Sequence, residues 1–279
     1  MPITIVTDST CDLPGELLKA SNIKFIPLHV VAGDKDYRDR TDISTDELYQ
    51  LIMDDNVRLT TSQPSIAEFT EFYKSIPGEI LSLHISSTLS GTSLTAARAA
   101  ESLGDDGKRI TVYDTKNISL NMGLLLLRAA QLAEAGKNSQ EIIEDIKALN
   151  EKVHLHFTLT SLKYLSRGGR ISKAQAALGN FLKVRPLLTY EDNEVKVTGK
   201  VFGTDQAIAK IADIAKKDDE ISPIQRIFIA HGHSPELQKK MDEKIRSVIS
   251  HDMDIMYAEI GAVIGCHVGP GAVGIFYCN

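Results

Sequence analysis

Four short apolar runs, each ending in polar turn residues, are separated by stretches of helical spacing, and this alternation constrains the fold more than any other feature. The runs are Ile3 to Asp8, Lys24 to Val31, Glu79 to Ser86 and Arg109 to Asp114, the pattern of buried strands. Helical stretches fall near Pro14 to Ala20, Thr45 to Met53, Ile66 to Lys74, Ser90 to Leu103 and Asn117 to Ala135. Strands alternating with helices predict a doubly wound α/β domain with a mainly parallel sheet. Ser139 to Asn150 reads as one more helix, with Glu141, Glu144 and Asp145 early and Lys147 late, as the helix dipole favours. A boundary then falls near residue 151, giving domains 1–151 and 152–279, and 279 residues suit about two domains.

The second half opens with a strand, Val153 to Leu159, and a basic loop-helix region, Ser161 to Phe181. A hairpin follows, Val184 to Tyr190 with Lys196 to Phe202, turned at Asp192-Asn193. Helices Asp205 to Lys217 and Pro235 to Val248 and strands Arg226 to His231 and Met253 to Glu259 make this a second α/β domain. The last stretch, Gly261 to Gly271, is dense in glycine.

Charge and cysteine usage exclude several classes. The net charge of −6 gives no basic field to draw the chain to nucleic acid. Cys11, Cys266 and Cys278 have no C-x-x-C spacing, so neither a disulfide framework nor a zinc site is expected. Asp8 interrupts the N-terminus before a signal sequence could form, and the most lipid-like run, Met122 to Leu127, stops at Arg128. A cytoplasmic protein is expected, in which the Asn117-Ile118-Ser119 sequon has no meaning.

Gly269 to Gly274 matches G-x-G-x-x-G, but no helix or acidic residue can follow in the five residues that remain, so no dinucleotide cofactor is expected. Ser90, after a strand and at a helix start, suits either an N-cap or an anion contact. Thr61 and Ser62 belong to a run of hydroxyls ahead of a helix that Ser65 or Ser62 could cap, and Asp8 to Pro14 is a similar loop at a strand's carboxyl edge. From Phe157 to Tyr190 there are six basic residues and no acid, so the remainder of the chain carries −12. Within that segment Gly168-Gly169 frees the backbone ahead of Arg170, whose guanidinium could meet a phosphate or an acidic partner. His267 could be a core group or a functional one. The pairs His231/His233 and His154/His156 show no further ligand at metal-binding spacing, so no metal is expected. The helix around Leu120 to Ala135 is apolar enough to be core or to wall a ligand tunnel.

Five blocks, in order, resemble the DegV family: Thr7 to Pro14, Thr61 to Ser65, Ser86 to Thr92, Leu162 to Ile171 and Gly261 to Gly271. The resemblance implies an N-terminal Rossmann-like domain and a C-terminal α/β domain with a long-chain fatty acid, such as palmitate, stearate or oleate, enclosed between them. It further implies the non-catalytic binding subunit of a bacterial fatty acid kinase, whose catalytic subunit phosphorylates the bound acid with ATP to an acyl phosphate for phospholipid synthesis. By motif, Thr61, Ser62 and Ser90 would hold the carboxylate with His267 nearby, and Arg170 would face the phosphate or the partner. No cofactor, nucleic acid or membrane span is implied, and at most a transient membrane contact. Two other functions fit the residues: a stand-alone acyl hydrolase or phosphotransferase using Ser90 and His267, and a regulatory protein docking through its basic face.

Overall fold

The computed structural model describes residues 3–54, 57–171 and 184–279. Along the first half run β1 (Thr4–Asp8), α1 (Gly15–Ala20), β2 (Lys24–Ile26), β3 (His29–Ala32), β4 (Lys35–Arg38), α2 (Thr45–Met53) and β5 (Leu59–Ser62). They are followed by α3 (Ile66–Lys74), β6 (Ile80–His84), α4 (Thr92–Ser102), β7 (Ile110–Asp114), α5 (Ser119–Glu134) and α6 (Ser139–Asn150). Then come β8 (Val153–Thr158), α7 (Lys163–Arg167), β9 (Val184–Glu191), β10 (Glu194–Phe202), α8 (Thr204–Ile221), β11 (Arg226–His231), α9 (Pro235–Val248), β12 (Asp254–Glu259), α10 (Ala262–Val268) and β13 (Val273–Cys278). Residues 172–181 of the expected loop-helix region, with Lys173, and also Lys183 lie outside the described residues.

The chain divides into two compact units, one of residues 1–43 and 61–151, the other of residues 44–60 and 152–279. In the first, β2-β1-β6-β7 form a wholly parallel sheet. Such a sheet needs helices on its faces, and Ile80 to His84 of β6 are buried without exception. Phe69 and Tyr73 of α3 and Ala96 and Ala99 of α4 pack with Val6 and Ile80 on one core. The apolar α5 is buried along most of its length, with Leu120, Leu125 and Leu126 inaccessible to solvent. Capping boxes at Ser44/Glu47, Ser65/Glu68 and Asn138/Glu141 start α2, α3 and α6, each satisfying two otherwise orphaned amides.

The second unit holds a mixed six-stranded sheet, β10-β9-β8-β13-β11-β12, antiparallel except for β11 beside β12. The β9–β10 hairpin turns on Asp192 and Asn193, both at positive φ (53° and 62°), as a two-residue type I′ turn requires. Ile208 and Ile211 of α8, Met241 and Ile245 of α9 and Ile227 and Ile229 of β11 share a core.

Several elements differ from the sequence expectation. Lys24 to Val31 is two strands, broken at Pro27, which has no N–H to give a ladder. β4, β5 and β13 were not expected, and β13 is an interior strand of its sheet. A single cut near residue 151 also omits the excursion 44–60, which takes α2 into the second unit. The cause is Tyr49: it is fully buried, its hydroxyl donates to the Ile260 carbonyl at 3.2 Å, and Cβ atoms placed at Gly265 or Gly232 would lie 2.8 or 2.9 Å from that oxygen. A side chain at either position would crowd the Tyr49 hydroxyl.

Candidate functional site

The hydroxyl group of candidates lies in the first unit. β6 delivers the chain to a loop in which the Ser90 amide donates to the Ser86 carbonyl (3.1 Å) and the Ser86 and Thr88 hydroxyls are 2.9 Å apart. Ser90 is not the N-cap of α4. That position is Gly91, no side chain caps the helix, and the Ser90 hydroxyl instead lies 2.8 Å from that of Thr92. Gln63 Nε2 donates to Thr95 Oγ1 at 2.6 Å, and a Cβ at Gly91 would collide with the Gln63 amide. The loop after β5 is thereby held against the start of α4, which places half-buried Thr61 and exposed Ser62 in the same part of the unit as half-buried Ser90. An uncapped helix start ringed by hydroxyls is chemically suited to an anion. Gln63, Gly91 and Thr92 fall inside the Thr61 to Ser65 and Ser86 to Thr92 blocks of the sequence but were not chosen there as site residues.

The other two candidates lie in the second unit. α7 ends in a Schellman motif: Gly169 sits at φ 70°, its amide donates to Ser166, and the Arg170 amide donates to Leu165. This turn points the Arg170 guanidinium back to the Gly168 carbonyl. His267, on α10, lies so close to Gly168 that any Cβ there would collide with its ring. Burial, reinforced by the charge of Arg170, pushes the His267 pKa down to about 4, so the imidazole is neutral at physiological pH. Arg185, also of the basic segment, is half-buried and donates to the Gly271 carbonyl at 3.0 Å.

The Asp8 loop is structural. Asp8 is inaccessible to solvent; its carboxylate accepts from the amides of Thr10 and Ile85 (both 3.1 Å), from the Thr10 hydroxyl and from His84 Nδ1 (3.0 Å). His84 Nε2 then lies 2.7 Å from the Ser82 hydroxyl, itself 2.9 Å from that of Tyr73. This Asp-His-Ser order resembles a hydrolase triad, but Ser82 is wholly buried and already holds two partners. Ser90 has no imidazole among its hydrogen-bond partners in the described residues. A solvent-facing cluster in the second unit, where His233 Nδ1 is 3.5 Å from Asp46 and 3.6 Å from Glu259, could accept a cation or pair internally when protonated.

No helix among the described residues is long and apolar enough to cross a membrane. The profile of the DegV family, described as uncharacterised proteins, matches residues 2–279. A DegV domain-containing protein of Deinococcus radiodurans is 36% identical over 99% of this chain and 98% of its own length. The protein DegV of Bacillus subtilis is 34% identical over 100% and 99%. Its solved structure, described as a fatty acid binding protein, aligns with a TM-score of 0.87 at 33% identity over 100% and 99% of the two chains. A DegV family protein of Thermus thermophilus, solved in a study of its fatty acid binding, gives a TM-score of 0.88 at 32% identity with both chains fully covered. A stearic acid-binding protein of Eubacterium ventriosum gives 0.90 at 26% identity over 99% and 98%. With the fold, the ordered motifs and whole-length relatives in agreement, the chain belongs to the DegV family.

Proposed function

We propose that this protein binds one long-chain fatty acid and presents its carboxyl end to a partner kinase. The observation that carries the reading is whole-length similarity, at 32% and 33% identity, to proteins solved as fatty acid binders. The chemistry of the chain supports it. An acyl tail is driven from water by roughly 0.8 kcal/mol per CH₂, while its carboxylate must exchange water for donors. Thr61, Ser62 and Ser90 are the hydroxyl donors assigned to that carboxylate, and His267 is a neutral imidazole able to donate one hydrogen bond without adding charge. Palmitate, stearate and oleate are the expected ligands.

The partner transfers the γ-phosphoryl group of ATP to a carboxylate oxygen, releasing ADP and leaving an acyl phosphate for phospholipid synthesis. In this reading the protein supplies no catalytic group and no cofactor, and it works in the cytoplasm. Arg170, which keeps its guanidinium beside the Gly168 carbonyl and its charge beside His267, is assigned to the incoming phosphate or to the partner. Mass spectrometry of lipid extracted from the purified protein tests the first step, with one acyl chain per molecule expected. Well-folded protein that neither carries nor takes up an acyl chain would refute it. The second step is tested by adding ATP and a fatty acid kinase catalytic subunit; acyl phosphate should form with wild type and fall sharply with Arg170→Ala at unchanged lipid occupancy.

A further inference from the structure

We propose that His154, His156 and Asp218 form a binding site for one first-row divalent transition ion of the zinc class. One ligand atom from each lies within 4.8 Å of the others, so small side-chain rotations would let a single ion reach all three. His154 and His156 flank Leu155 on β8 and therefore project from one face of the sheet. Asp218 comes from α8, 62 residues beyond His156, which is why no local spacing announced the set.

The surroundings resemble the outer shell of a metal site. His154 Nε2 is 2.9 Å from Asn279 Oδ1; an amide oxygen only accepts, so Nε2 carries the proton and Nδ1 presents its lone pair. Asp218 accepts from the Tyr277 hydroxyl through Oδ2 at 2.6 Å, which fixes the carboxylate and leaves Oδ1 for a ligand. The Tyr277 ring stacks on His154 at 5.2 Å and tilts toward His156 at 6.0 Å, holding both imidazoles in place. Histidine-to-carboxamide and phenol-to-carboxylate bonds of this kind orient ligands and set their tautomers.

His156 supplies an independent observation. Both of its ring nitrogens are buried, and neither has a hydrogen-bond partner among the described residues. A buried imidazole with no partner on either nitrogen needs an explanation, and a bound ion would take up the lone pair of one of the two. Two imidazoles and one carboxylate select zinc, iron(II) or cobalt(II) over magnesium or calcium, which prefer oxygen. His154, His156 and Asp218 are each half-buried as residues.

The test uses the full chain, purified without a polyhistidine tag, stripped with EDTA and titrated with Co²⁺ and Zn²⁺. Wild type should bind one equivalent with visible cobalt d–d bands, and its Tm should rise with Zn²⁺ but not with Mg²⁺. His156→Gln and the isosteric Asp218→Asn should each weaken binding by at least about tenfold and remove the bands, and Asn279→Ala should cost about 10-fold through the outer shell. Asp218→Asn keeps the size of the side chain and an acceptor for Tyr277, so it separates lost ligation from lost folding. The proposal fails if wild type binds no ion, if both ligand variants bind as wild type does, or if His233→Gln abolishes binding while these two leave it intact.

Discussion

Ser82 and Ser90 sit at opposite ends of the same turn of chain, one on β6 and one in the loop that β6 feeds, yet they stand for different kinds of polar residue. Ser82 is inaccessible to solvent and its hydroxyl is saturated between His84 and Tyr73, in a chain of bonds that ends on the carboxylate of Asp8. Ser90 is half-buried and touches a single hydroxyl, that of Thr92, beside a helix start that no side chain caps. A polar group whose bonding capacity is filled by the protein belongs to the structure. One with capacity to spare at an accessible rim is free to exchange water for a ligand.

The comparison breaks most readily at Asp8. Asp8→Ala leaves His84 Nδ1, two amides and the Thr10 hydroxyl without their acceptor, so urea unfolding should show a loss of about 3–5 kcal/mol. Ser82→Ala should lose about 1–3 kcal/mol in the same assay, because His84 Nε2 and the Tyr73 hydroxyl lose their shared partner. Ser90→Ala and Thr61→Ala should do the reverse. Their stability should stay within about 0.5 kcal/mol of wild type, while fatty acid affinity, measured by competition with a fluorescent acyl probe, falls roughly tenfold each. Equal loss of stability in all three serine and threonine variants would erase the distinction.

A smaller effect concerns His267. Folding lowers its pKa from 6.5 to about 4, so between these values the unfolded chain binds more protons than the folded one. The stabilisation from keeping this ring neutral is therefore complete above about pH 6.5 and is lost progressively as pH falls toward about 4. His267→Gln should flatten that part of the stability–pH profile, and an unchanged profile would count against a buried neutral imidazole. The smallest step is in the ligand: each methylene removed from the acyl chain should weaken binding about fourfold, the equivalent of roughly 0.8 kcal/mol.

Much of the fold was legible because its signals are local. The period of α2, α3, α6 and α9 and the Asp192-Asn193 turn are each set within a few residues, and the structure places them where the pattern does. What escaped depends on distant partners. β13 follows a glycine-rich turn and becomes a strand because β8 and β11 flank it. β5 reads as a polar loop, since Thr60, Thr61 and Ser62 carry no apolar alternation. At the candidate site, Ser90 was visible as a hydroxyl at a helix start, but that the cap position falls to Gly91, packed against the distant Gln63, was not. Asp218 could not be joined to His154 and His156 without knowing how α8 crosses the sheet.

The excursion of residues 44–60 into the second unit means that neither unit is one continuous stretch of polypeptide. A ribosome emits α2 long before it emits Gly232 and Gly265, the two glycines that receive Tyr49. The nascent helix must therefore wait with its apolar side uncovered, and a gene divided at codon 151 would yield a second fragment lacking a piece of its own interior. Supplying residues 44–60 in trans, or grafting them onto that fragment, is the natural way to make it fold by itself.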